Sequence, residues 1–458
     1  MSAVTLMRSA VSQTSEGRSQ RQIGERWVRA LSLVAVTVAT WMLCTLIGGT
    51  WMLVERHLHP HEALVEVDPI SLAYVFLALF ASVLLVPSLL GLLTQAARAN
   101  LGGREEHLAV LRLIGATAGE VRGMMILESL RQALVGLVLG SVLYVATCPA
   151  WSLLTFQEKR VGTWEMFTWW VIPAAWIVVL VLAACSVWLA LRRVAVTPLG
   201  VTKKIPPEGQ SAITLVLSVV GAVVLYRYLS SINIALGVDA AAFAGMLVVA
   251  GGNLTVNALI AVGVIQLLAR LSYRVPGAAN YVATRRVGRG AKTTWKRVAA
   301  LYFVAFIGGI CGFFSAVPEI DEAPALKMIA GDIPSGVAIT VVFAAVLLVS
   351  STLLTQALSV VEQKQLTKSF YFIGAPAAFH TKVAAREVGV PMLVVALLGF
   401  GMGSLTGTVM VVVHVDVMDK LALFGGVVVV ALIGCVLAVL GTGRLREKVL
   451  LGMGRAKD

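Results

Sequence analysis

Apolar runs long enough to cross a hydrocarbon core of about 30 Å recur along the whole chain, and this constrains the fold more than any other feature. Only two kinds of structure satisfy their backbone polar groups in lipid, and runs of this length are helical rather than barrel strands. Composition agrees: 58% of the 458 residues are hydrophobic and 13% are charged. A soluble domain runs near one quarter charged, so this chain cannot clothe a globular surface. The expected fold is an all-α polytopic membrane protein.

About ten spans are expected. They lie near 28–54, 69–97, 123–155, 166–191, 211–230, 241–270, 297–317, 333–361, 388–413 and 420–442, with Pro87 a kink site. The net charge of +13 is not spread as a nucleic-acid site would need; it sits in short segments between the apolar runs. Segments 1–27, 97–122, 192–210, 270–297, 362–387 and 443–458 are rich in Arg and Lys, and the alternate segments carry mostly acidic residues and His. That interleaving puts both termini in the cytoplasm and excludes nucleic acid as a partner. Arg227, Lys159 and Arg160 run against the rule. The first apolar run is too long for a cleaved signal, so it is expected to remain as a span. Cys44, Cys148, Cys185, Cys311 and Cys435 all fall in apolar stretches without metal-ligand spacing, and read as free thiols.

The chain repeats itself. Leu92-Leu93-Thr94-Gln95-Ala96 recurs at 353–357, and Ile114-Gly115-Ala116 recurs as Ile373-Gly374-Ala375. Glu128 and Glu387 stand at the same offset beyond their Ile-Gly-Ala. Between the two spans of each copy lies a short amphipathic stretch expected to form a helix along the membrane face. The first holds Arg104, Glu105, Leu108, Leu111, Arg112, Ile114 and Gly115; the second holds Leu366, Phe370, Ile373 and Gly374. A rigid bar of this kind either anchors its loop or transmits force from a cytoplasmic partner, and two copies imply two docking sites. Glu128 and Glu387, at the starts of their spans, are stabilised there by the helix dipole and are also candidate coupling carboxylates.

Those residues resemble a known family. Arg104-Glu105, Leu111 to Thr117, Val121-Arg122, Leu127-Glu128, Gly136 and Gly140 resemble the signature of FtsX-like (MacB-type) ABC transporter permeases. Arg192 to Leu199 resembles that domain's exit sequence. Two such units in one chain look most like the bacitracin-export (Bce-type) permeases, although only residues 318–332 stand where those carry a large extracytoplasmic domain. The implied organisation is a cytoplasmic segment at 1–26, a first span and outward loop at 27–68, and a first FtsX-like unit at 69–201. Linking spans follow at 202–284, then a second unit at 285–445 and a cytoplasmic tail at 446–458.

The resemblance implies a non-catalytic permease in a bacterial plasma membrane, paired with two copies of a cytoplasmic ABC ATPase that binds the ATP and Mg. Its substrate would be hydrophobic or amphipathic: an antimicrobial peptide, lipid or drug. The alternative is a mechanotransmission regulator of an outside partner such as a cell-wall hydrolase. Gly288-Arg289-Gly290-Ala291-Lys292-Thr293 lacks the ending of a phosphate-binding loop and reads as inside-facing charge, so no cofactor is expected in this chain. His57, His59 and His61 form an outward His-x-His-x-His; on an extended segment they would share one side and could hold a metal, but a short loop with scattered histidines is the commoner case. Gly136 and Gly140, and the series Gly399, Gly401, Gly403 and Gly407, have the spacing of close helix packing.

Overall fold

The computed structural model describes residues 3–60, 69–101, 118–194, 212–231, 240–314, 324–362, 377–410 and parts of 425–441. Among the described residues ten long helices run in chain order: α1 Ala3–Leu58, α2 Pro69–Leu101, α3 Ala118–Thr147, α4 Val171–Val194 and α5 Ala212–Ser231. They continue as α6 Ala240–Ser272, α7 Ala278–Arg289, α8 Ala291–Phe314, α9 Pro324–Glu362 and α10 Ala377–Met410. A further apolar helix occupies Val428–Leu437. Among the described residues six helices are long and apolar enough to cross a membrane, and Val171–Ser186, Ile213–Val224 and Val428–Leu437 are shorter apolar helices.

Several boundaries differ from the sequence expectation for physical reasons. The polar residues before Trp27 continue α1 as helix, because nothing among them breaks the hydrogen-bond ladder. Expected spans at 123–155 and 166–191 are shorter: α3 ends at Thr147, before Pro149, and α4 begins only at Val171. The basic stretch at 270–297 holds the separate helix α7, which buries Asn280, Ala283, Thr284 and Val287 along one face. Asn280 closes the turn before it, donating through Nδ2 to the carbonyls of Ser272 at 2.9 Å and Val275 at 3.1 Å. Backbone is helical through Pro87, and α9 and α10 contain Pro334 and Pro391.

Glycines set how closely the helices approach. A Cβ at Gly136 would stand 2.7 Å from a Val36 methyl, and one at Gly140 would stand 2.6 Å from Thr40 Cβ and 2.7 Å from the Thr37 carbonyl oxygen. So α3 lies directly on the backbone of α1. The same device joins α10 to α8: a Cβ at Gly399 would come within 2.6 Å of the Tyr302 carbonyl oxygen, and Gly403 abuts that of Phe306. Gly401, on the opposite face, has open space around it. Lipid tails are as apolar as leucine, so such close packing, with interhelical hydrogen bonds, supplies the association energy. Trp41 Nε1 donates to Thr147 Oγ1 at 2.9 Å between α1 and α3, and Trp176 Nε1 donates to Ser141 Oγ at 2.9 Å between α4 and α3.

The contacts repeat in the order of the chain. Helix α1 packs on α2 and α3, and α8 packs on α9 and α10. The two sets meet where α1 and α2 lie against α9; α2 and α9 both carry the string Leu-Leu-Thr-Gln-Ala. There Gln95 Oε1 accepts from Ser351 Oγ at 3.0 Å and from Thr355 Oγ1 at 2.7 Å.

Gly399→Leu is expected to destabilise the purified protein by about 1–3 kcal/mol, the cost of overpacking a tight contact. Gly401→Leu is expected to be neutral. Thermal unfolding in detergent, followed by monodispersity on size exclusion, checks the pair; equal behaviour of the two variants would contradict the α8–α10 register.

Candidate functional site at the outer end of the bundle

The chain between α3 and α4 folds into an ordered cap at the end of the bundle that the charge pattern places outside. A 3-10 helix, Cys148–Leu153, leads into a two-stranded hairpin of β1, Thr155–Phe156, and β2, Lys159–Arg160. Thr155 pairs with Arg160 and Phe156 with Lys159, leaving Gln157 and Glu158 as a two-residue loop. Both loop residues have left-handed backbone, φ 57° and 59°. Two-residue hairpins need such angles to follow strand twist, and Asn-Gly is the usual solution. Gln-Glu is a strained one, held only where the surroundings over-determine it.

Arg56, at the end of α1, is the anchor. Its guanidinium is buried and meets Glu165 bidentately, Nε to Oε1 at 2.6 Å and Nη2 to Oε2 at 2.8 Å. Nη1 donates to the Phe156 carbonyl at 2.8 Å, and Nη2 reaches the Arg160 carbonyl at 3.4 Å. Glu165 Oε2 also accepts the Gly162 backbone N–H at 2.6 Å. One arginine thereby fixes both strands of the hairpin and the turn that follows. Burial acts to raise the Glu165 pKa, but the hydrogen bonds from Arg56 and Gly162, with the Arg56 and Lys159 charges, outweigh it and hold the carboxyl below its ordinary value. Beneath the hairpin Met52, Val161 and Met166 form a small apolar cluster. Tyr144 donates to the Met166 carbonyl at 2.5 Å, and a Cβ at Gly48 would collide with both groups.

Asp332 joins this cap to the other half of the molecule. It lies on α9, and its Oδ2 accepts from Tyr74 Oη of α2 at 2.7 Å and from the backbone N–H of Gln157 at 2.7 Å. The second bond falls on the strained loop residue, whose side chain is fully buried. Trp151 of the cap also meets Phe343 of α9 edge-on, with centroids 6.0 Å apart. One carboxylate on α9 therefore bonds both the hairpin and α2.

None of Arg56, Glu165, Gln157 or Asp332 stands out in the sequence as a site. The available signals were an arginine at the outer end of a span, against the positive-inside rule, and Lys159 and Arg160 beyond it. The sequence-derived candidates are distributed differently. Arg104, Glu105, Leu108, Leu111, Arg112, Ile114 and Gly115 lie outside the described residues, as do Leu366, Phe370, Ile373 and Gly374. Glu128 is exposed on α3, whereas Glu387 on α10 pairs with Arg286 of α7 at 3.4 Å. His57 is in the last turn of α1 with Nδ1 2.6 Å from Ser71 Oγ, and His59 follows just beyond the helix. A helical His57 removes the extended geometry that would have aligned the three imidazoles; His61 lies outside the described residues. Among the described residues no group of three or more His, Cys, Asp or Glu could hold a metal, and Cys44, Cys148, Cys185 and Cys435 are free thiols.

Arg56→Leu is expected to destabilise the cap by roughly 3–5 kcal/mol, since it strands a partly buried carboxylate. Glu165 has a folded pKa below its unfolded one, so its contribution is full above the ordinary carboxylate range and is lost as pH falls through the folded value. Wild type should thus exceed Glu165→Gln in thermal stability at neutral pH, and the gap should close on acidification. Melting curves of both proteins from pH 7 to pH 3 test the sign.

Residues 79–199, from the middle of α2 through α4, match the family described as FtsX-like permease C-terminal. No curated protein and no solved structure matches the chain. The stretch from α2 through α4, which includes the hairpin of the cap, is therefore similar to FtsX-like permeases.

Proposed function

We propose that this chain is the permease subunit of an ABC transporter of the bacterial plasma membrane, driven by two copies of a cytoplasmic ATPase that bind ATP and Mg. It exports, or extracts from the outer leaflet, a hydrophobic or amphipathic molecule such as an antimicrobial peptide, lipid or drug. Ten spans with both termini in the cytoplasm, in two FtsX-like units, are part of this reading.

The observation that supports it is the contact between α2 and α9. The amphipathic segments 104–116 and 363–375 directly follow α2 and α9, the two helices that pack on each other between the repeats. Force applied to both segments would bear on that contact, where Gln95, Ser351 and Thr355 add polar bonds to the buried leucines of the shared core. Polar bonds between membrane helices contribute only about 0.6 kcal/mol on average, so an ATPase stroke can rearrange them. Asp332 closes the other end of the same two helices against the cap. A push inside and a catch outside, acting on one helix pair, are what alternating exposure of a path between the halves requires.

Leu111→Asp and Gly115→Pro are expected to abolish permease-stimulated ATP hydrolysis and transport while the chain still inserts and purifies. Affinity purification in mild detergent is expected to recover an ATPase at two copies per permease. Retention of stimulated hydrolysis by both variants would sink the coupling assignment, and absence of any ATPase would sink the proposal.

A further inference from the structure

The segment that runs from the end of α6 through α7 to the start of α8 carries charge of one sign. Residues 270–297 contain Arg270, Arg274, Arg285, Arg286, Arg289, Lys292, Lys296 and Arg297 and no acidic residue. Arg286 is engaged by Glu387. Arg270, Arg274, Arg285, Arg289 and Lys292 are exposed, as is Arg386 at the start of α10.

The fold gathers these charges at the edge of an exposed apolar surface. Helix α7 is held broadside on α6 and α10 by its buried face. Arg386 lines a small crevice with Ser272, Asn280 and Thr284 at its polar rim and Leu268 and Val390 on its apolar wall. Immediately beyond the rim, Leu267 and Leu271 of α6 are 52% and 50% exposed and Val390 and Leu393 of α10 are 48% and 55% exposed. Such leucines and valines on membrane helices face acyl chains. Tyr273 and Tyr281 stand at the junction with ring centroids 6.4 Å apart, and Arg285 lies over the Tyr281 ring. Tyrosine and arginine placed where apolar helix surface gives way to water mark headgroup depth.

We propose that this surface, made by the end of α6, α7 and the start of α10, binds an anionic phospholipid of the cytoplasmic leaflet, its phosphate held by Arg274, Arg285 and Arg386 and its acyl chain along Leu268 and Val390. Charge complementarity and the continuity of the basic rim with a lipid-facing apolar wall select a lipid over a soluble protein, which would have to cover those leucines as well. The surface rests only on the chain being embedded in a membrane and not on its being an ABC permease.

The test uses the full chain alone, in nanodiscs of equal phosphatidylglycerol and phosphatidylcholine, with retained lipid read by native mass spectrometry after release into detergent. The wild type is expected to keep phosphatidylglycerol preferentially. Arg274→Gln, Arg285→Gln and Arg386→Gln should each lower that preference about fivefold, the change that ~1 kcal/mol per basic residue near an anionic surface corresponds to. Lysine at the same positions should largely preserve it, which separates loss of charge from loss of fold. Equal retention of the two lipids by wild type, or a preference unchanged in the triple glutamine variant, would overturn the proposal.

Discussion

Contact between helix backbones at glycine holds this bundle together, and the rest of the architecture depends on it. In lipid there is no water to drive helices together, so association rests on how many atoms come within van der Waals reach and on the hydrogen bonds that short distance allows. Gly136 and Gly140 bring α3 onto Thr37 and Thr40 of α1. At that separation the Trp41 indole can reach Thr147. Gly399 and Gly403 repeat the arrangement between α10 and α8 with backbone carbonyls as the facing surface. Each pair forms one stiff unit, and the remaining helices lean on those units.

Stiff units within the halves leave the contact between them as the place where movement is least costly. Helices α2 and α9 share the buried leucines of the core and add hydroxyl-to-amide bonds at Gln95, with no glycine of either helix pressed against the other's backbone. Hydroxyl-to-amide bonds can be exchanged for one another when a helix shifts, whereas a backbone seated on a glycine cannot slide without a clash. Glycine-seated packing thus makes one kind of region, in α1 with α3 and α8 with α10, and the α2–α9 contact with its hydroxyl-to-amide bonds makes another. The Arg286–Glu387 pair on α7 and α10 belongs to the first kind of region, inside the second copy and its linking helix, and there Glu387 stiffens the base of α10.

What the sequence made legible follows the same physics. Length and apolarity determine that a segment is a membrane helix, so the main helices could be located from composition alone. Small-residue spacing identified Gly136, Gly140, Gly399 and Gly403 as packing positions, because removing a side chain has one dominant consequence in a crowded bilayer. It did not separate Gly401 from its neighbours, since spacing does not say which face meets a partner. The outer cap was invisible for a different reason. Arg56, Glu165, Gln157 and Asp332 are far apart in sequence, and their meaning depends on three-dimensional closure. Residues 156–165 read as a loop because a two-residue hairpin turn made of Gln and Glu lacks the Asn-Gly signal that announces one. Helix α7 was read as inside-facing charge, its apolar positions too few to register among the eight arginines and lysines of 270–297.

The cap also gives the two repeats unequal roles. Its anchor, Arg56, and its hairpin belong to the first half, yet the group that completes it, Asp332, belongs to the second. A bond between halves at one end of α2 and α9 favours a hinge over a slide: the far ends can separate while the capped end holds. The hinge is sprung, because the N–H that Asp332 accepts belongs to a residue at φ 57°, a conformation costly for glutamine unless its bonds are kept. Withdrawing α9 would release Gln157 and relax the hairpin, so that opening the outer seam and remodelling the cap become one event. Through that bond the position of α9 and the shape of the hairpin are set together, although Gln157 and Asp332 are 175 residues apart in sequence.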